Sequence, residues 1–192
     1  MESDATAPLS AYGQSKRAGE IAVLESGAKA LVLRSSWLVS AHGQNFAATM
    51  LRLACTKTQL RVVADQYGVP TPTAFLSEQI KSALFQTRTF PQGLFHLVPA
   101  GETNWHQYAI HVVQKAETNS RWQAHLKIHS SAIEAIASEA FPSPVARPLN
   151  ARLDCSRWKQ ALGLSSLPDY REVLEPVIDQ MLERGPDFAL KR

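Results

Sequence analysis

Apolar positions along this chain recur in two rhythms, one helical and one strand-like. Between Pro8 and Ser26, Tyr12, Ile21 and Leu24 fall among good helix formers and Gly27 closes the segment, which predicts an amphipathic helix. The short continuous run Ala30 to Leu33 predicts a buried strand whose carboxyl end carries Arg34, Ser35, Ser36 and Trp37. Helical spacing returns over Asn45 to Ala54, where Phe46, Met50 and Leu53 share a face, and Leu60 to Val63 predicts a second strand. The turn-rich stretch DQYGVPTPT follows. A helix over Phe75 to Phe85, a buried strand in GLFHLV and a helix in TNWHQYAIHVVQKA complete the series, with Thr103 or Asn104 as N-cap of the last.

Strands alternating with helices to about residue 115 predict an α/β fold with a parallel sheet, in which ligands sit beyond the carboxyl ends of the strands. Past that point the pattern weakens. FPSPVARPLN holds three of the eleven prolines and precedes two terminal helices, Ser156 to Leu162 and Pro168 to Leu182. Pro176 should kink the last helix or mark a restart, because it removes a backbone donor and crowds the preceding turn. The expected division is 1–115 and a smaller accessory lobe, 116–192.

Composition narrows the function classes. With 192 residues, 45% hydrophobic and 19% charged, the chain reads as globular, and no apolar run approaches the roughly 20 residues that span a bilayer. MESDATAPLS has neither the basic nor the apolar region of an export signal, so a cytoplasmic protein with no membrane partner is expected. Cys55 and Cys155 stand far apart, which suggests neither a disulfide framework nor a zinc knuckle. The net charge of +3 is spread without a basic run, so nucleic acid is not an expected partner, whereas an anionic small molecule such as a nucleotide stays open. His125 and His129 are four apart but lack a third ligand.

The chemistry-bearing pair is Tyr12 and Lys16. Residues four apart on a helix share a face, and an ammonium beside a phenol favours phenolate, which suits acid–base work. On spacing alone an ordinary helical turn is the better reading. The surrounding residues supply more. YGQSKRAGE resembles the catalytic-helix signature of the extended short-chain dehydrogenase/reductases, in the subgroup of dTDP-4-dehydrorhamnose reductases. ESD, LRSSWLVSAHGQNFAATMLRLA, LRVVADQYGVPT, GLFHL and ARPLNARLD resemble further motifs of that family, in the family's order.

The resemblance implies the C-terminal part of an NAD(P)-binding Rossmann-type parallel sheet plus a small mixed α/β substrate-binding lobe, to which part of 42–72 contributes. It implies hydride transfer from NADPH, or NADH, to C4 of a dTDP-linked keto sugar, giving dTDP-L-rhamnose for polysaccharide synthesis. Tyr12 would donate the proton, Lys16 would hold the nicotinamide ribose and ease that transfer, and Trp37 would pack on the sugar. Asn45 and Phe46 would border the substrate. Arg147, with Asn150 and Arg152, would contact the diphosphate or pin the proline-rich loop; Asp65, Gln66 and Gly68 would shape a loop over the site; Arg34 would face substrate or serve as an ion-pair partner. Some relatives share magnesium between carboxylates of a dimer, but Ala74 and Gln180 stand where two are expected, so magnesium is not expected and a homodimer stays open.

The family's Gly-x-x-Gly-x-x-Gly turn has no counterpart among the nine glycines. The expectation is therefore a truncated or late-starting chain without the cofactor-binding half, inactive alone and with an unpaired sheet edge. Two alternatives remain: Ser35, Val39 and Ser40 depart from the family pattern, as in a reductase of another nucleotide-linked keto sugar, and the fold also serves a non-catalytic subunit of methionine adenosyltransferase.

Overall fold

The computed structural model describes residues 1–85, 90–141 and 147–187. Helix α1 (Ala11–Glu25) begins where the Ser10 hydroxyl accepts the Gly13 amide hydrogen at 3.1 Å. In chain order there follow β1 (Leu31–Arg34), β2 (Leu38–Val39), α2 (Phe46–Thr56), β3 (Leu60–Val63), β4 (Tyr67–Gly68), β5 (Thr71–Pro72) and α3 (Thr73–Phe85). The second half holds β6 (Gly93–His96), β7 (Thr103–Asn104), α4 (Trp105–Glu117), a single-turn α5 (Ser120–Gln123), β8 (Ile133–Ile136), α6 (Ser156–Leu162) and α7 (Tyr170–Glu183).

Strand pairing is mostly parallel and long-range. β1 pairs with β6, β3 with β8 and β2 with β5, all parallel, while β4 and β7 are antiparallel. Parallel partners need long crossovers, and the helices supply them. Ala47, Leu51 and Ala54 of α2 face Ala109, Val112, Val113 and Ala116 of α4, all fully buried, so small side chains let the two helices approach closely. Leu174, Ile178 and Met181 of α7 close the core from another side. Two indoles are anchored in it: Trp122 donates to the Leu182 carbonyl at 2.8 Å and Trp158 to Gln79 Oε1 at 2.9 Å. Asn104 and Asp169 cap α4 and α7, and Gly163 at φ 66° ends α6 in the left-handed conformation that favours glycine.

Three expectations need correction. The stretch after residue 116, weak in pattern, contains α5 and β8; β8 has only Ile133 and Ile136 buried, too few to signal a strand without its partner β3. Helix α7 is continuous through Pro176, so the proline does not mark a restart. Helix α1 forms, but none of its residues is buried, and β1 is half-buried at all four positions instead of buried, since β6 is its one strand partner among the described residues. Residues 142–146 of the proline-rich stretch lie outside the described residues. No described helix is long and apolar enough to cross a membrane.

What ties α1 down is the Arg34 fork on Glu20, with Nε 2.8 Å from Oε2, the side chains being 23% and 14% exposed. Arg34 is thus an ion-pair partner. Removing the carboxylate leaves a half-buried guanidinium unpaired, a loss of roughly 1–3 kcal/mol felt mainly in α1. Glu20→Ala is expected to speed amide exchange of α1 tenfold or more while exchange in α4 and α7 is unchanged; equal acceleration in all three would contradict this.

Candidate functional site

Tyr12 and Lys16 share one side of α1, as their spacing predicts, with the ammonium 5.3 Å from the phenol ring centroid. That side is open: Tyr12 is 72% exposed. The pair stands ready on the surface of the chain.

The carboxyl ends of the strands carry the second group. Immediately past β1, Ser35 and Ser36 have buried hydroxyls without a hydrogen-bond partner. Beside them in the β1–β6 pair, His96 is 3% exposed and neither ring nitrogen has a partner; burial, the largest cause, lowers its pKa and favours the neutral imidazole. Its backbone N–H donates to Glu2 Oε1 at 2.8 Å, which fastens the N-terminal segment to the end of β6. Buried polar atoms ordinarily find partners, so this cluster is a concentration of unmet hydrogen-bonding capacity.

Trp37 comes next and adopts φ 46°, unusual for a bulky residue. Its ring stacks on Trp105 with centroids 3.7 Å apart and planes 20° from parallel, and Phe46 tilts against Trp105 at 4.5 Å. Gly68 lies under Trp37 so closely that a Cβ there would fall 2.6 Å from Cε2. A polar latch fixes the assembly: Trp105 Nε1 donates to Gln66 Oε1 at 3.2 Å, Gln66 Nε2 to Ser138 Oγ at 2.9 Å, and Ser138 Oγ to Asp65 Oδ1 at 2.7 Å. The Ser138 amide and hydroxyl together hold the Asp65 carboxyl below its ordinary pKa.

Phe46, Leu53 and Trp105 form one wall of a cavity of about 820 Å³, with Gln66, Ser138 and Arg147 among its polar lining. This combination, mostly apolar with a few placed polar groups, suits an organic ligand with a charged part. Asn45 starts α2 next to it; its Oδ1 accepts the Ala48 amide hydrogen at 3.1 Å and its Nδ2 donates to the Ser40 carbonyl at 2.8 Å. Of the residues expected at the site, Arg147 lines this cavity, Trp37 touches its wall by stacking on Trp105 and Asn45 precedes the wall residue Phe46, whereas Trp37, Asn45, Tyr12 and Lys16 are themselves not among the lining residues. Asn150 and Arg152 are engaged otherwise. Arg152 bonds Asn150 Oδ1 at 2.9 Å and Glu102 at 2.8 Å, and the Tyr67 backbone pairs with Leu149 and Ala151 on either side, so this segment is pinned to the core. The sequence pattern singles out neither Trp105 nor Ser138. For Trp105 a signal existed, an aromatic directly after the Asn104 cap; Ser138 offered none.

Two outcomes test this assembly. Gly68→Ala forces Trp37 off its stack and should cost about 1–3 kcal/mol, read from chemical denaturation and from the tryptophan near-ultraviolet dichroism. Because the folded Asp65 carboxyl titrates below 3.8, the latch stabilises fully above that value and is lost as pH falls through the lowered one. The stability deficit of Asp65→Asn against the parent should be largest near neutral pH and shrink as pH is taken below 3.8; a deficit independent of pH would contradict the latch.

Residues 1–183 match the family model described as the RmlD substrate binding domain. Over 183 residues the chain is 38% identical to the dTDP-4-dehydrorhamnose reductase of Shigella flexneri and 37% to that of Escherichia coli K12, in each case 94% of this chain and 59% of the relative. The chain thus spans 59% of the length of these relatives. It superimposes on the dTDP-4-dehydrorhamnose reductase of Bacillus anthracis, solved in complex with NADP, with TM-score 0.78 and 30% identity, covering 93% of this chain and 58% of that one. The parallel pairs, the Tyr12–Lys16 helix and the match across nearly all of the sequence converge: this chain belongs to the RmlD substrate-binding-domain family.

Proposed function

We propose that this chain supplies the substrate side and the proton-donating helix of a reductase that converts dTDP-4-dehydrorhamnose to dTDP-L-rhamnose with NADPH, in the cytoplasm, for polysaccharide synthesis. The observation that carries the reading is the Tyr12–Lys16 pair, held on one open helix face in a chain similar over 94% of its length to dTDP-4-dehydrorhamnose reductases. Part of 42–72 and residues 116–192 form the substrate side in this reading, and the rest of 1–115 belongs with the cofactor.

The residues present fit one end of a dinucleotide. Lys16 offers an exposed ammonium for ribose hydroxyls, and the partnerless Ser35 and Ser36 hydroxyls mark the strand end where such a group would lie. Reduced nicotinamide, when bound, supplies the hydride. Tyr12 then gives its hydroxyl proton to the oxygen that was the C4 carbonyl, so the ketone gains one hydride and one proton and becomes an alcohol. Lys16, whose positive charge favours the phenolate left behind, assists that transfer. Trp37 and Trp105 form a rigid apolar wall that excludes water, and Arg147 at the cavity is suited to the diphosphate. Asn45 shapes the approach by starting α2 at Phe46.

Alone, the chain is expected to show no measurable turnover and no submicromolar affinity for NADPH. Joined to the cofactor-binding half of the Escherichia coli relative, it should reduce dTDP-4-dehydrorhamnose. Tyr12→Phe should then lower kcat about 10²–10⁴-fold with KM little changed. Full activity of Tyr12→Phe would overturn the reading.

A further inference from the structure

Trp105 is the residue through which the cavity meets Trp37. Its indole lines the cavity, and the same ring stacks on Trp37 with centroids 3.7 Å apart. A shift of this one ring would reshape the wall and unseat Trp37 together. The indole has one donor and no acceptor, and that donor goes to Gln66 Oε1 at 3.2 Å. Gln66 is 9% exposed, so water is poorly placed to satisfy the indole if the amide points the wrong way.

A carboxamide has two ends, and only one suits an indole. With Oε1 toward Trp105 the N–H is met; with Nε2 there, two donors face each other. The choice is made at the far end of the hydrogen-bond relay. Strands β3 and β8 run in parallel register to Val63 and Ile136, so Asp65 and Ser138, each two residues further on, come side by side. A carboxylate only accepts, so the Ser138 hydroxyl commits its single proton to Asp65 Oδ1 at 2.7 Å, while the Ser138 amide donates to Oδ2 at 2.9 Å. The hydroxyl oxygen is left as an acceptor. Gln66 therefore presents Nε2 to it, at 2.9 Å, and Oε1 is turned to the indole. The direction of the whole relay follows from the carboxylate at position 65.

We propose that Asp65 is a positioning residue for the ligand wall: through Ser138 and Gln66 it sets the direction of one buried amide, and thereby the seat of Trp105 and of Trp37 stacked on it. Asp65 is not itself among the residues lining the cavity, so its effect on a ligand passes through the relay. The identity of that ligand rests on the proposed function, under which a dTDP-linked sugar lies against this wall.

The test inverts the relay and then restores it. Asp65→Asn offers Ser138 an amide donor, which frees the hydroxyl to donate to Gln66 and turns Nε2 against the indole N–H. In the 192-residue chain the near-ultraviolet dichroism of the stacked tryptophans should be largely lost. Binding of dTDP-L-rhamnose, followed by tryptophan fluorescence, should weaken about fivefold or more, as one misdirected hydrogen bond would cause. Adding Gln66→Glu to Asp65→Asn places a carboxylate where it accepts from both the serine and the indole. That double variant should regain the dichroism and bind within about twofold of the parent. It also decides the matter if Asp65→Asn alone fails to fold. Ser138→Ala removes the relay without inverting it, because the indole can then select Oε1 unaided, and should be milder than Asp65→Asn in both measurements. If Asp65 served only to brace the backbone at Ser138, Gln66→Glu would give no rescue and Ser138→Ala would leave the stack intact only where Asp65→Asn does too. Absence of rescue, or parent-like dichroism in Asp65→Asn, would overturn the inference. Loss and rescue of the dichroism in a chain whose parent does not bind dTDP-L-rhamnose would support the positioning role and overturn the reading of the ligand instead.

Discussion

Parallel pairing of strands far apart in sequence is the constraint from which the remaining architecture follows. Two such strands must point the same way, so the chain returns through a crossover, and the residues after each strand emerge at the same end. Here Trp37 follows β1, Asp65 and Gln66 follow β3, and Ser138 follows β8. These positions are scattered along the chain, but the stack of Trp37 on Trp105 and the bonds from Trp105 to Gln66 and on to Ser138 unite them. The site is a consequence of strand direction before it is a consequence of any side chain.

Burial is distributed unevenly, and the unevenness is informative. The α2–α4–α7 core has alanine-rich packing and anchored indoles. The α1–β1 region is held instead by a few polar ties, the Arg34–Glu20 fork and the Glu2 bond to the His96 amide. Partly exposed polar ties contribute far less than apolar burial, so the two parts differ in the source of their order. The side chains suited to acid–base chemistry lie in the second part and the aromatic cavity in the first.

The aromatic group shows how rigidity is obtained from small residues. Trp37 reaches Trp105 because Gly68 has no Cβ to obstruct it, and Trp105 keeps its angle because its single donor is met by a buried carboxamide. That carboxamide is in turn held by a serine bonded to an aspartate. An apolar wall is thus positioned by a chain of hydrogen bonds behind it.

Helices and strands with strong periodicity are legible in the amino-acid pattern alone. α2, α4 and α6 fall within a residue or two of where apolar spacing and caps put them, because those signals are local. The same pattern also determines that Tyr12 and Lys16 share a face, since helix geometry alone places residues four apart together. β8 was not legible, because a four-residue strand with two buried positions exists only by pairing with β3, seventy residues upstream in chain order. Nor could spacing reveal that Trp105 would stack on Trp37, that Asn150 and Arg152 would pin a loop while Arg147 reached the cavity, or that α1 would lie uncovered. Those outcomes depend on which surfaces meet, a property of the folded chain that no local pattern encodes.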